Sequence, residues 1–414
     1  MIKPEKLKAL LSKQENVVPL CSVAFLQSCS GGVWFVAMPF ILKRLGGTDT
    51  QLGLCLGFWF VAYTIGCLSA APLLDKFDPK RTILLGLIAN VLATFGMLLV
   101  VIMAQPSGSS FSPPVAMILL SSISGVFGSL FWPPLMGWFS TGYEGVRLNR
   151  RLGLFNASWS CGALATPYFG GLIVEQSSAW ALALTLAFSL AAVAALIFAR
   201  SPNGVIPAFN CPDKQSDDLM PTLLGRFRWI ARVALLSSMT CIGLARTQLA
   251  VLFKFELAFT ESDYGSAILA MSIAVFAVFT LAGRTHAWHY KLWLFISAQL
   301  LLLIGMVLIL YTSALVVLTL AVVMIGAGES FMYTSHLYYG VSGGKRRSAR
   351  MAIHETTLSM GFAAGGLAGG LLSDHFGRYS PYKFGFGIVA AGLVVQAIIW
   401  LALKPKKRVI DQQQ

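Results

Sequence analysis

Five residues stand out because their neighbours are wrong for them. Arg246, Glu329, His336, His354 and Glu355 sit inside long apolar runs. A charged or titratable group is expensive to keep there and is functional by default. Glu and His can take up and release protons, whereas Arg stays charged and meets anions. Glu329, Tyr333 and His336 recur at i, i+4 and i+7, which is one face of a helix. Glu329 falls near the middle of its run, and His336 lies two turns away, roughly 10 Å. His354 and Glu355 are adjacent, so only one of them can meet His336 directly. Arg246 is the one cation deep in a run, a contact for a charged small molecule. The competing reading is a buried network that fixes helix register. Gln27, Gly31 and Trp34 share one face of the first run, and Ser121, Gly125, Gly128 and Trp132 share one face of the fourth. Large aromatics with few polar anchors suit an amphipathic organic ligand. Trp132-Pro133-Pro134 predicts a kink.

The elements that must position these groups follow from composition. Of 414 residues, 56% are apolar and 12% charged, and mean hydropathy is +0.72. A water-soluble globule cannot hide that much apolar surface. Soluble enzymes, disulfide scaffolds and disordered chains are thereby excluded. Twelve runs stand at about 17–42, 51–74, 81–104, 113–138, 151–174, 178–199, 229–253, 264–283, 291–311, 314–340, 349–373 and 381–403. Each has the roughly 20 residues that a helix needs to cross a bilayer. The first is too long for a signal peptide and reads as a retained span. Net charge is +14. With the N-terminus inside, 25 of the 31 Lys and Arg fall on cytoplasmic segments, five fall outside and Arg246 is left within a span. That bias places both termini in the cytoplasm and accounts for the charge without nucleic acid. The seven cysteines show no CxxC spacing and read as packing residues. No metal spacing, Walker sequence or soluble GxSxG is present, so neither an enzyme nor a cofactor is expected.

The chain repeats. A shift of 199 lays Arg147 on Arg346, Arg151 on Arg350, Ser160 on Ser359, Gly162 on Gly361, and Gly170-Gly171-Leu172 on Gly369-Gly370-Leu371. The charges do not repeat: Glu329 falls on Leu130, and Glu355 on Asn156, which makes Asn156 a candidate ligand contact. A Pro- and Asp-rich stretch at 201–228 divides the spans six and six. The expected domains are a six-helix bundle over 1–200, a cytoplasmic linker over 201–228 and a second six-helix bundle over 229–414. Parallel six-span repeats are the plan of one large transporter class.

On these features the chain resembles the major facilitator superfamily. The loop Ala71 to Arg81 is similar to that family's gating motif, with Asp75, Lys76 and Lys80 in register. In the fifth span Gly153, Gly162, Pro167, Gly170 and Gly171 have the spacing of the drug–proton antiporter signature, from which Thr166 departs. The antiporters' fourth-span arginine is replaced by Ser121. The stretch Gly370 to Arg378 looks like a second gating motif, but the charge bias places it outside, where it reads as coincidence. The resemblance implies an all-α membrane protein of twelve helices in two related bundles, with gating at Asp75, Lys76, Lys80 and the fifth-span glycines. It implies a monomeric secondary transporter in the lipid bilayer of a bacterial inner membrane. Such a protein would export a small organic molecule by alternating access, with protons as the coupling ion carried by Glu329, His354, Glu355 and His336. Arg246, Tyr333, Gln27, Trp34, Trp132 and Asn156 would contact substrate. The alternatives are an uptake symporter for a sugar or carboxylate, and a non-transporting receptor on the same scaffold.

Overall fold

The computed structural model describes residues 16–74, 76–104, 112–141, 143, 145–200, 221–343 and 347–403. Asp75 of the expected gating motif and residues 201–220 of the expected linker lie outside the described residues. In chain order the helices are α1 (Val17–Arg44), α2 (Asp49–Leu74), α3 (Pro79–Met103), α4 (Pro113–Gly128), α5 (Trp132–Ser140), α6 (Gly145–Gln176) and α7 (Ser178–Ile197). Then come α8 (Pro221–Val251), α9 (Glu261–Arg284), α10 (Leu292–Tyr311), α11 (Leu315–Val341), α12 (Arg347–Phe376) and α13 (Ser380–Ala402).

Local chemistry sets the ends. Asp78 accepts from the Lys80 backbone N–H, and Pro79 opens α3 without needing a donor of its own. Thr260 and Asp263 form a reciprocal capping box at the start of α9. The expected kink is a break: α4 ends at Gly128, a tight turn follows, and α5 restarts at Trp132. Pro133 and Pro134 lack the N–H groups that would continue the ladder. Beyond α8 the backbone widens into a π turn over Leu252–Glu256.

Among the described residues, ten helical stretches are long and apolar enough to cross a membrane, α4 and α5 together forming one of them. The other two crossings are α6 and α12, of 32 and 30 residues, which are long enough but less apolar. The fold is thus twelve crossings in two bundles. Alternation gives two faces. One carries the first residues of α1 and the last of α13, here the terminal face; the other is the far face.

The repeat is visible in the packing. Helix α6 lies against α1 of its own half and α9 of the other, and α12 lies against α8 of its own half and α2 of the other. A Cβ at Gly171 would stand 2.6 Å from the Glu261 carbonyl, and a Cβ at Gly370 would stand 2.6 Å from the Asp49 carbonyl. Both glycines therefore let the halves touch. Gly162 and Gly170, expected at that moving contact, instead face α1: added Cβ atoms would meet Phe25 and Val33. The reason is angular, since successive helix positions turn by about 100° and only one of two adjacent glycines can face the other half. Gly153 does meet the other half, at Gly283. Pro167, inside α6, lies with its carbonyl beside Gly265 of α9.

Candidate functional site

Between the halves lies a cavity of about 180 Å³. Both halves build it. Phe35 comes from α1, Trp59, Phe60 and Tyr63 from α2, Trp132 from α5 and Trp159 from α6. The second half adds Arg246 from α8, Glu329 and Tyr333 from α11, and Glu355, Leu358 and Phe362 from α12. Eight of these twelve are aromatic, so the walls offer flat apolar faces with three charged groups set among them. Phe60 stacks on Phe362 across the halves at 4.4 Å and 12°. Trp59 stacks on Tyr63 at 5.2 Å, and Trp159 tilts against Tyr333 at 5.7 Å.

The charges have distinct surroundings. Arg246 also lines a smaller recess with Thr247, Tyr264 and Ile268 on its far-face side. Among the described residues, no ion pair or hydrogen bond holds Arg246 or Glu329. Glu355 is held: the Tyr63 hydroxyl donates to its Oε2 at 2.8 Å, joining α2 to α12. One turn further, Thr64 and Ser359 share a 2.6 Å hydroxyl contact. Toward the terminal face His336 and His354 stack at 4.9 Å with their Nδ1 atoms 2.7 Å apart. One Nδ1 must carry the proton and the other accept it. Both Nε2 atoms are buried without a partner among the described residues. So the adjacent pair His354 and Glu355 splits, one facing His336 and the other Tyr63.

Several residues lie elsewhere than the sequence suggested. Trp34 is buried behind the wall, edge-on to Phe35 at 4.9 Å, and Phe35 faces the cavity in its place. Gln27 is off the wall, its amide oxygen buried and unpartnered. Asn156 is fully buried and accepts from the Trp159 indole at 3.2 Å, so it positions an aromatic wall residue instead of lining the cavity itself. Trp132 does reach the wall. Ser121 and Gly125 turn toward α2, where Ser121 meets the Cys55 thiol at 3.2 Å and Gly125 leaves room for the Trp59 carbonyl. Lys80 donates to the Ile197 carbonyl at 3.0 Å, tying α3 to the end of α7 within one half. Lys76 is exposed. Phe35, Trp59, Phe60, Tyr63, Trp159, Leu358 and Phe362 were not singled out from sequence; aromatic density could have marked all of them but Leu358.

Both approaches to the cavity are narrowed. At the far face Asp49 pairs with Lys43 and accepts from Ser373 at 2.9 Å, while the Thr50 N–H donates to Asp374 at 2.7 Å. Asp374 belongs to the stretch read from sequence as a coincidental motif; it helps close the α2–α12 seam. On the opposite seam Glu261 binds Lys254 at 2.8 Å and Arg44 at 3.0 Å. At the terminal face the Asn149 side-chain amide donates to the Ala282 and Thr285 carbonyls at 3.0 and 3.2 Å.

Known proteins share this plan. The chain is 21% identical over 365 residues to an uncharacterized MFS-type transporter of Methanocaldococcus jannaschii, covering 85% of this chain and 90% of that one. Its fold is similar to that of the human organic anion transporter TETRAN, with a TM-score of 0.66 and 14% identity over 93% of this chain and 99% of that one. It is similar to a bacterial homologue of the human lysosomal transporter Spinster, with a TM-score of 0.66 and 14% identity over 94% and 96% of the two chains. The nucleoside transporter NupG matches with a TM-score of 0.62 and 16% identity over 94% and 99%. Residues 20–342 match the model of the Major Facilitator Superfamily, and the chain belongs to that family of membrane transporters.

Proposed function

We propose that this protein is a proton-coupled exporter of a small organic molecule, working by alternating access as a monomer in a bacterial plasma membrane with both termini cytoplasmic. The observation that carries the reading is the cavity between the halves that Arg246 and Glu329 both line, with no hydrogen bond or ion pair holding either among the described residues. A carboxyl group kept unpaired there is costly when ionised, so gaining and losing a proton is a natural way for it to pass through the cycle. Arg246 supplies the fixed charge. Export rests on the fifth-span glycine pattern. The proposed domains are those the repeat marks, 1–200 and 229–414 with 201–228 between them, although 221–228 already form the start of α8.

Uptake of a carboxylate is the second reading, favoured by Arg246 as an anion contact. A sugar is disfavoured, because among the described residues the cavity wall carries no Ser, Thr, Asn or Gln to hydrogen-bond hydroxyls. The deciding measurement is flux in proteoliposomes with and without an imposed pH gradient. Glu329→Gln keeps the shape and removes the titration. At saturating substrate it should retain exchange of substrate for substrate and lose uphill transport. Uphill transport at the wild-type rate would take Glu329 out of the coupling mechanism.

A further inference from the structure

The cavity carries two opposite charges that feel each other's field without forming a direct ion pair. Arg246 and Glu329 sit on packed neighbours, α8 and α11, and both line it. Among the described residues no ion pair joins them, and no hydrogen bond ties either one to another side chain. The third charged group is already engaged, since Tyr63 donates to Glu355. What remains for a ligand is one fixed cation, one free carboxylate and the flat faces of Trp59, Trp159 and Tyr333. Among the described residues the wall provides no neutral amide and no aliphatic hydroxyl.

We infer that the cavity takes a zwitterion built on an aromatic frame, with its anionic group on the Arg246 guanidinium, its amine on the Glu329 carboxylate and its ring between the aromatic walls. This rests on the preceding reading in taking the cavity as the substrate site. The argument is one of charge balance. An anion alone would leave Glu329 to take up a proton or go unpaired, and a cation alone would leave Arg246 without a bound partner. A neutral molecule would give neither group a direct ionic contact. A buried charge whose partner is missing is the costly arrangement, whereas a zwitterion satisfies both groups and adds no net charge. The separation fits as well. Two groups further apart than an ion pair can each make a contact of normal length to a ligand whose own charges are a few ångströms apart. An amine near tryptophan and tyrosine faces gains a cation–π contribution too.

Three probes sharing an indole frame separate the possibilities: tryptophan (zwitterion), tryptamine (cation) and indole-3-propionate (anion). Binding to the purified full-length protein is read from ligand-induced shifts in thermal stability at neutral pH. Tryptophan should bind at least about ten-fold more tightly than either singly charged probe. Arg246→Gln should erase its advantage over tryptamine, and Glu329→Gln its advantage over indole-3-propionate. Arg246→Lys, which keeps the charge, should keep a preference for the zwitterion. Tighter binding of either singly charged probe, equal binding of all three, or binding of none would overturn the inference. Counterflow of labelled tryptophan in proteoliposomes separates the two readings. Zwitterion-selective binding without counterflow would sink the transport reading and leave this one standing. Counterflow of indole-3-propionate or tryptamine in preference to tryptophan would do the reverse.

Discussion

At the scale of the residue, burial and partner decide what a titratable group can do. His289 shows this outside the spans. It lies in the loop between α9 and α10, stacks on Tyr338 at 4.1 Å, and has both ring nitrogens buried without a partner among the described residues. Burial, with a smaller contribution from neighbouring His286, pushes its pKa down to about 4. The folded state therefore disfavours the protonated ring. Its contribution to stability is intact above the unfolded value of about 6.5 and declines as pH falls from there toward 4. Thermal unfolding at pH 7.5 and pH 5.0 should show wild type losing more stability on acidification than His289→Phe. Equal losses would mean that this ring is not what acid attacks.

Some of the site was legible at this scale and some was not. Arg246, Glu329 and Glu355 were visible because a charge among apolar residues is an anomaly in any register. Trp34 and Phe35 were not separable. In a membrane helix the lipid side and the packed side are both apolar, so the period that marks an inward face in a soluble helix is missing. Phe35 faces the ligand space and Trp34 the packing behind it, and nothing in their types says which. Asn156 was readable as the repeat counterpart of Glu355, but not as a support for Trp159.

Among elements, the two glycine-bearing helices divide their labour by face. One face of α6 is fixed to α1 and another meets α9; α12 does the same with α8 and α2. Substitutions should separate these faces. Gly162→Leu pushes into the Phe25 backbone within one half and should lower expression and thermal stability. Gly171→Leu pushes into the start of α9 across the far-face seam and should leave the halves folded but unable to close there. Cysteine accessibility of cavity residues from the far face should then rise as flux falls. Normal flux in Gly171→Leu would show that this seam need not close tightly. The sequence revealed the glycines and their repeat; it could not reveal which of two neighbours faced the other half, because that depends on a rotation of about 100°.

For the whole molecule, the positive charges predict an orientation that labelling can test. On the proposed topology, the 25-to-5 partition of Lys and Arg predicts that both termini lie inside. In a background without the seven native cysteines, a cysteine at Gln413 should resist an impermeant reagent in intact cells, and one at Ser109 should react. Labelling of Gln413→Cys from outside would invert the topology and with it the direction of every gate. The twelve-span plan was the most legible feature of all, because length and apolarity suffice to define a crossing. How the halves meet was not, since the seams are made by short polar contacts such as Asn149 to the α9 carbonyls.

The two helices that join the halves are also the two least suited to entering lipid alone. Both α6 and α12 fall short of the apolarity that the other ten crossings reach. During synthesis α6 leaves the ribosome with α1 already made, whereas its cross-half partner α9 is still to come. By the time α12 emerges, α2 and α8 are both available. Each poorly apolar helix thus finds a ready surface within its own half, and only α6 must wait for the other. Membrane insertion of α6 should accordingly depend on α1 being upstream, so the order of the genes' two copies of the repeat is also an order of assembly.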